Sequence, residues 1–549
     1  MSTALEAASL IMIPTSYSDG LLASVKPNDG AGDFTFSRGS NISATRVNAD
    51  GNIEKGYENL LLQSNNFSTT WFNSNSTETS GQGGYDGSSD AWLISKSAAG
   101  GYIGQNISQS GVQTFSIYAK ANDSDYMSVI GSAYQVFNLS NGTLGVGNAI
   151  DAKIESIGSG WYRCSMTENA SITRVRIFPV EANSSSATSG SIYIQDAMLN
   201  QGLVAYPYVE TTTAPVAGGI LENMPRIDFS GGNQSLLLEP SRTNAWTYSE
   251  PASGANESPS NITTFAPIDM FSSIGIYGGV EFTGGVTRYQ YGGGVAVNTT
   301  YSLSCYMRKD DSTAPILAAS TADASGDFVF VLGGNIYTSS TLTSSDYSIE
   351  LFKDDIYKVV FTYTTGASVN QSNNGIYKDD ANSNVDLFVT GFQLEAGSYP
   401  TSYIPTYGVS QTRLQDLATA SVTNTTSRTY FLDGKRLADE DVANPSPFYN
   451  PNDALGITFW SANRIRFRFG GGLNSYYTLA GDDFKIAISY DGTDSKVFVN
   501  GVYFTTQTLD LENLTSIVIL GTNGAVSYNQ TLLFPTALSD EECIALTTI

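Results

Sequence analysis

The chain has 549 residues, of which only 14% are charged, and its 27 basic and 52 acidic residues give a formal net charge of −25. So acidic a surface repels phosphate backbones, which argues against nucleic-acid binding. The sequence contains no histidine, and this excludes Ser-His-Asp and Cys-His catalysis as well as zinc sites built on imidazole. The three cysteines, Cys164, Cys305 and Cys543, are predicted to be buried free thiols.

Residues 1–57 form a polar segment that does not resemble the repeat described below. Residues 4–10 are predicted to form one or two helical turns, and residues 33–36 and 45–47 are predicted strands between turn clusters. The segment is too small to build a core of its own. We therefore interpret it as an anchoring or oligomerisation segment. It shows no signal-peptide pattern, and no apolar run is long enough to span a bilayer, so no membrane insertion is expected.

Residues 58–213 and 244–407 repeat each other. Four landmarks recur in the same order, with identical spacing over the last two: Asn59, Tyr118, Tyr162 and Tyr208 match Asn244, Tyr306, Tyr357 and Tyr403. Both copies consist of short runs with strand periodicity and polar turns. These patterns predict an all-β chain of tandem antiparallel β-sandwich (jelly-roll) domains, with residues 214–243 as a connector. The shared tyrosines are interpreted as framework residues.

Residues 408–549 carry a different strand pattern and are predicted to form a third sandwich. Asp491-Gly492 and Asn500-Gly501 are strong hairpin signals. Residues 538–546 are the one convincing helix, with Ser539 as its N-cap and acidic residues in its first turn.

Part of this last domain resembles a laminin-G-like, concanavalin-type lectin domain. The resemblance lies in residues 486–492 (IAISYDG), 497–501 (VFVNG) and 535–542 (PTALSDEE). It implies a lectin-like sandwich at 408–549.

Other pieces resemble a group of modular proteins of tailed-bacteriophage virions. They are VKPNDG at 25–30, GDFTFSRGS at 32–40, ATRVN at 44–48, GNIE at 51–54, PRIDFSGG at 225–232, LLLEPSRTN at 236–244, YIPTYG at 403–408 and TR at 412–413. The resemblance implies a fibre or capsid decoration protein on the virion surface, in the head or the tail, with carbohydrate-binding-like jelly rolls. It also implies a homo-oligomer, most often a trimer, that contacts other virion proteins through its N-terminal segment.

Two kinds of residues are candidates for ligand binding. Arg464, Arg466 and Arg468 alternate with apolar residues, so a strand would place the three guanidinium groups on one face, where they suit an anionic glycan or an acidic neighbouring subunit. The alternative is a solvated or internally paired sheet face. Aromatic rings stack on sugars, although packing is the commoner role of any single ring. The aromatic candidates are Trp460, Tyr476, Tyr477, Tyr85, Trp92 and Tyr102.

Acidic clusters could bind calcium, but none has EF-hand spacing, and turns are the simpler interpretation. The clusters are Asp482-Asp483, Asp491 with Asp494, Asp123 with Asp125, and Asp439-Glu440-Asp441. No metal site, catalytic residue or cofactor is therefore predicted.

The sequence favours a structural component of a phage virion that displays carbohydrate-binding-like domains to host-surface or extracellular glycans, and that is not an enzyme. The alternative is a polysaccharide depolymerase carried on a host-recognition fibre. A depolymerase needs two carboxylates at a set separation, and no compact pair is evident on a strand, although distant residues could supply one. A secreted adhesin conflicts with the missing signal-peptide pattern.

Overall fold

A computed structural model describes the chain except for residues 1–5, 40–42, 182–188, 257–263, 284–286, 369–372, 380, 383, 439–447, 450–454, 461–462, 470–472, 509–515 and 521–523. Strands account for 52% of the chain and helix for 3%. The predicted all-β class of tandem antiparallel sandwiches is confirmed.

The strands are numbered β1–β43 in chain order. The first six are Leu10–Met12, Tyr17–Ser18, Leu21–Leu22, Phe34–Ser37, Thr45–Val47 and Ile53–Asn59. Strands β7–β18 are Phe72–Ser74, Ser76–Gln82, Ala91–Lys96, Tyr102–Gln109, Val112–Ala121, Tyr126–Ile130, Tyr134–Asn138, Thr143–Gly147, Asp151–Gly158, Trp161–Asn169, Ile172–Val180 and Ser191–Gln201. Strands β19–β22 are Val216–Gly219, Arg226–Asp228, Ser235–Leu238 and Arg242–Asn244.

The second half of the chain is built in the same way. Strands β23–β32 are Val280–Phe282, Thr287–Tyr291, Thr300–Lys309, Val329–Leu332, Asn335–Tyr337, Tyr347–Lys353, Ile356–Thr364, Asn374–Lys378, Leu387–Ala396 and Gln411–Arg413. Strands β33–β43 are Leu417–Ser421, Arg428–Arg436, Phe448–Tyr449, Leu455–Trp460, Arg464–Phe469, Leu473–Thr478, Asp483–Tyr490, Asp494–Val499, Val502–Thr508, Ser516–Leu520 and Val526–Phe534. A 3-10 turn covers Ser272–Ile274, and the helix α1 covers Asp540–Thr547.

The first repeat folds as a sandwich of two six-stranded sheets, in the orders β14-β13-β12-β17-β10-β7 and β15-β16-β11-β18-β9-β8. We call it jelly roll 1. Alternate residues of its strands, such as Ile103, Ile117 and Ile177, are fully buried between the sheets. The second repeat, jelly roll 2, pairs a sheet β23-β31-β25-β29-β28 with a sheet β24-β30-β26-β27. The strands common to the two copies thus follow the same order, and the described part of jelly roll 2 has no counterparts of β7, β8 and β14.

The recurring residues close each sandwich in the same way. The Asn59 side chain donates to the carbonyls of Ala197 and Val209, and Asn244 donates to those of Phe392 and Ile404. A hydroxyl pair completes each closure at the same 2.7 Å, in one copy Ser64 with Tyr208 and in the other Ser249 with Tyr403. Because buried polar groups must be hydrogen-bonded, these contacts explain why the landmarks recur.

The third sandwich recruits strands from distant parts of the chain. Its first sheet contains β20, β21, β43, β34, β39, β40 and β41, with β1 paired to β43; its second runs β2-β3-β4-β33-β42-β35-β36-β37-β38. Residues 10–37 are therefore part of this domain and not a separate mounting arm, which corrects the predicted boundary at residue 57. Residues 10–12, predicted in part as helix, pair as a strand with Leu533, Leu532 and Thr531. The predicted connector likewise supplies β20 and β21.

Local signals in the C-terminal domain are confirmed. Strands β39, β40 and β41 form consecutive hairpins at the two predicted turns, and Asn500 and Gly501 both have positive φ, as a type I′ turn requires. Helix α1 begins with a capping box in which the Ser539 hydroxyl accepts from the Glu542 amide at 3.2 Å, and the Glu542 carboxylate accepts from the Ser539 amide at 2.8 Å. Cys164, Cys305 and Cys543 are buried and unpaired, as predicted.

A buried cluster of charges joins five residues that lie far apart in the sequence. Asp416 pairs with Arg38 at 3.2 Å and with Arg226, and Glu239 pairs with Arg226 at 2.7 Å and with Arg413 at 3.1 Å. None of these side chains is more than 4% exposed. Burial alone would raise the pKa of Glu239, but Arg413 and Arg226 outweigh burial and lower that pKa to about 2. We call these five residues the junction network.

Candidate functional site

One outer sheet face of jelly roll 1 carries aromatic rings and arginines together. The strand register aligns a row across five strands: Phe72, Gly104, Arg176, Ile130 and Tyr134. Residues directly opposite one another in a sheet point to the same face, and strands lie roughly 4.8 Å apart, so this row spans about 19 Å. That length suits a short oligosaccharide.

The next row adds the rings of Tyr102 and Phe178, which are tilted by 39° relative to each other. The centroid of Tyr102 lies 4.8 Å from that of Phe178 and 6.0 Å from that of Phe72. The guanidinium carbon of Arg176 lies 5.9 Å from the ring centroids of both Tyr102 and Phe178. We call Phe72, Tyr102, Tyr134, Arg176 and Phe178 the aromatic–arginine face.

Gly104 allows this close packing. A Cβ atom at Gly104 would lie 3.1 Å from the Arg176 side chain and 3.3 Å from the Phe72 ring. The opposite side of the same strands is anchored in the core by Ile103, Val175 and Ile177. Strand alternation therefore sets which residues lie on this face. The absence of a side chain at Gly104 lets Phe72 and Arg176 pack closely across it.

Part of this face is accessible, whereas Phe178 is only 6% exposed and packs in a buried cluster with Val136 and Val180. Tyr134 is 39% exposed, and Phe72, Tyr102 and Arg176 are half-buried. Beside Arg176 lies an open depression of about 360 Å³, lined by Arg174, Ser132, Ser171 and Thr173 among others. Stacking rings with hydroxyl and guanidinium donors at their edge are the groups that hold a sugar.

The corresponding face of jelly roll 2 is covered. The connection between β11 and β12 is residues 122–125, whereas the matching connection between β25 and β26 is residues 310–328. This longer segment lays Ala318 over Val329, Val331 and Tyr377, and all four residues are buried. Hydrogen bonds from the Ala318 amide to Phe328 at 2.8 Å and from the Ser339 amide to Ala318 at 3.0 Å hold it in place. The two copies therefore differ at this surface.

The other aromatic candidates of jelly roll 1 are engaged in packing. Trp92 packs against the core, and its indole nitrogen donates to the Asn65 carbonyl at 2.9 Å. Tyr85 stacks on Tyr118 with ring centroids 3.9 Å apart, and its hydroxyl donates to Asp196 at 2.9 Å. Of the three aromatic residues singled out in this domain, Tyr102 alone lies on the aromatic–arginine face.

The arginine strand of the third sandwich alternates as the sequence indicates. Ile465, Phe467 and Phe469 are fully buried in the core, while Arg464 and Arg468 are half-exposed on the other side of β37. Arg466 is only 7% exposed.

The aromatic residues beside strand β37 differ in their contacts. An Arg466 nitrogen donates to the Thr458 hydroxyl at 3.3 Å, and the Arg464 guanidinium carbon lies 5.2 Å from the centroid of the exposed Tyr476 ring. Tyr477 instead faces the core beside Phe504. The backbone of Trp460 pairs with Arg464, and the Trp460 side chain lies outside the described residues.

The acidic clusters are occupied by local contacts. Asp491 accepts the amides of Thr493 and Asp494 at 2.9 and 2.8 Å, as in an Asx turn. Asp482 pairs with Arg436 at 2.6 Å, and Asp123 accepts from the Ser191 hydroxyl at 2.8 Å. Asp439-Glu440-Asp441 lies outside the described residues. Over the described part of the chain, no three acidic or cysteine side chains are grouped to hold a metal ion, and no helix there is long and apolar enough to cross a membrane.

Asp196 is an unusual carboxylate that the sequence did not reveal. Its φ is 54°, and the matching residue of jelly roll 2 is Gly391, with a φ of 62°. An aspartate thus occupies a left-handed position that favours glycine. Burial raises the pKa of Asp196 to about 6.

This pKa predicts a specific pH dependence. An unfolded aspartate titrates near 3.9, so folded jelly roll 1 holds the proton more tightly. The stability due to this proton is present at low pH and is lost as the pH rises through about 6. Between pH 4 and pH 7 we expect the unfolding free energy of wild type to fall by about 1 to 2 kcal/mol relative to Asp196→Asn, allowing for residual solvent screening.

Urea unfolding followed by tryptophan fluorescence measures this difference. Three of the five tryptophans, Trp71, Trp92 and Trp161, belong to jelly roll 1. A wild-type minus variant difference that stays constant with pH would show that Asp196 titrates normally.

The chain shows distant likenesses to several solved structures. It is similar to the binding domain of botulinum neurotoxin serotype D, with 13% identity and a TM-score of 0.20 over 24% of this chain and 40% of that one, so it spans less than half of the toxin domain. It is also similar to a candidate carbohydrate binding protein from Bacteroides ovatus, with 8% identity and a TM-score of 0.20 over 56% of this chain and 85% of that one.

A third likeness is to the LG1-3 region of the laminin alpha2 chain, with 10% identity and a TM-score of 0.14 over 81% of this chain and 98% of that one. No family model and no curated protein matches the sequence. The description of the fold therefore rests on the sheets of this chain itself.

Proposed function

We propose that this chain is a glycan-binding structural protein displayed on the surface of a tailed-bacteriophage particle, as a fibre or capsid decoration. The observation that carries the binding role is the aromatic–arginine face. It combines the exposed ring of Tyr134, the half-buried rings of Phe72 and Tyr102, and Arg176 with an adjoining depression, and the equivalent face of the second copy is covered.

Binding is favoured over catalysis by the composition of this surface. Hydrolysis of a glycosidic bond needs two carboxylates flanking the bond. The described residues that line the depression include Arg174 and Arg176 and no acid. A polysaccharide at this surface would be bound through its hydroxyl or carboxylate groups and released unchanged.

The virion role is supported by the sequence pieces that resemble phage structural proteins. Several of them supply the junction network, with Arg38, Arg226, Glu239 and Arg413. A homo-oligomer, most simply a trimer, would present several copies of a weak site. Multivalent attachment would then raise the overall affinity by orders of magnitude without further contacts.

A binding assay tests the glycan role. Tyr102→Ala removes one half-buried ring from this face. Taking a ring stack as worth about 1–3 kcal/mol, we expect fluorescently labelled protein to bind host cells roughly 5- to 150-fold more weakly. Tyr503→Ala, which removes a tyrosine that is 48% exposed in the third sandwich, is the matched control and should bind like wild type. Equal cell binding by Tyr102→Ala and wild type would refute the assignment of the site.

Immunogold labelling with an antibody against the purified chain tests the virion role. We expect label on intact particles at regular positions. Label confined to lysate, with none on purified particles, would contradict that role while leaving the glycan assay intact.

A further inference from the structure

A second cavity lies where the three sandwiches meet, away from the aromatic–arginine face. Its volume is about 380 Å³. Tyr17 comes from β2 of the third sandwich, Tyr57 from β6, Tyr206 from the closing stretch of jelly roll 1, and Tyr277 from jelly roll 2. Small-molecule sites often lie between domains and measure roughly 300–1,000 Å³, so this cavity is large enough for one or two sugar rings.

Half-buried tyrosines form its walls. The rings of Tyr57 and Tyr206 stack in parallel, with centroids 4.7 Å apart and an interplanar angle of 1°. Tyr277 lies on another side, with the Lys55 ammonium 5.5 Å from its ring centroid. Burial raises the pKa of Tyr57 and of Tyr277 from an ordinary value that already lies well above neutral pH, and a protonated phenol can donate a hydrogen bond.

The charges at the cavity are already balanced. At the rim, the Arg46 guanidinium pairs with Glu54 at 2.7 Å and lies 5.4 Å from the Tyr17 ring centroid. On the floor, the buried Lys55 pairs with Glu250. A charged ligand would have to displace one of these partners, whereas a neutral ligand would meet hydroxyl, guanidinium and carboxylate groups without such a cost.

We propose that this junction cavity binds a neutral saccharide unit. Tyr57 stacks on Tyr206 and packs on Gly218 and Gly219, so this pair offers a sugar its ring edges and hydroxyls. Arg46 and Glu54 provide a donor and an acceptor for the sugar hydroxyls. This site is distinct from the aromatic–arginine face and does not depend on it.

The position of the site has a consequence for the stability of the chain. Because all three sandwiches contribute a wall, a bound sugar contacts each of them at once. Any ligand that binds the folded form alone stabilises it by mass action. Occupancy should therefore raise the temperature at which the sandwiches separate and unfold.

The test uses the full chain with four defined probes: glucose, galactose, N-acetylglucosamine and N-acetylgalactosamine. Saturation-transfer NMR detects binding, and thermal unfolding detects stabilisation. We expect at least one sugar to bind wild type and to raise its unfolding temperature. Tyr57→Ala should weaken the binding of that sugar at least tenfold. Glu54→Gln is a milder change at the rim and should weaken the binding several-fold.

The Tyr102→Ala variant separates the two sites. It should bind the same sugar at the junction as wild type does, whether or not it still binds host cells. Binding of none of the four sugars to wild type, or equal binding to wild type, Tyr57→Ala and Glu54→Gln, would overturn the junction site. Loss of binding in Tyr102→Ala alone would also overturn it, and would place the sugar on the aromatic–arginine face.

Discussion

Deleting residues 1–37 should unfold the third sandwich, because these residues complete both of its sheets. Strand β1 pairs with β43, and β4 pairs with β33. Leu10, Met12, Leu22, Phe34 and Phe36 belong to the core that also contains β39, and none is more than 3% exposed. Hydrogen exchange should show loss of amide protection in β34 and β39, while jelly roll 1 stays protected.

A point variant gives the same result on a smaller scale. Phe34→Ala leaves a cavity in a fully buried position and should lower the unfolding free energy of the third sandwich by about 3 to 5 kcal/mol. Val25→Ala, at a position that is 48% exposed, should change it by less than about 0.5 kcal/mol. If the deletion variant kept native protection in β34 and β39, residues 10–37 would be a detachable segment, as the sequence pattern first suggested.

Asp416→Ala should lower the unfolding free energy about as much as Phe34→Ala does, but for an electrostatic reason. Asp416 pairs with both Arg38 and Arg226, and all three side chains are fully buried. Removing one member of a buried ion pair leaves a cation without compensation and costs about 3 to 5 kcal/mol. We expect that loss in urea unfolding, followed by circular dichroism.

The exposed pair of Lys153 with Asp269, at 2.9 Å, supplies the matched control. Their side chains are 36% and 59% exposed, so Asp269→Ala should cost no more than about 1 kcal/mol. Equal losses for the two variants would mean that water reaches Asp416 and that the junction network is not sealed.

Much of the fold could be predicted because its signals are local. The capping residue Ser539, the turn at Asn500-Gly501 and the alternation around Arg466 each depend on neighbours a few residues away. The duplication was visible because Asn59 and Tyr208 perform the same closing contacts as Asn244 and Tyr403. In contrast, β1 and β43 are separated by more than 500 residues, and no local pattern marks which distant strands will pair.

The candidate site was only partly visible for a related reason. Tyr102 was singled out, but Phe72, Arg176 and Phe178 come from other strands, and only the register brings them together. The sequence does contain a signal for this face. Arg174, Arg176 and Phe178 alternate with buried residues just as Arg464, Arg466 and Arg468 do. That alternation indicates a face, although not which ring will lie beside it.

The most direct test of the proposed function is an array of bacterial surface glycans probed with the purified full chain. We predict that wild type and Tyr503→Ala bind a common set of glycans, and that the double variant Tyr102→Ala with Arg176→Ala loses the whole set. Wild type that binds no glycan, or a double variant that binds the same set with equal strength, would contradict the assignment of the aromatic–arginine face as the glycan-binding site.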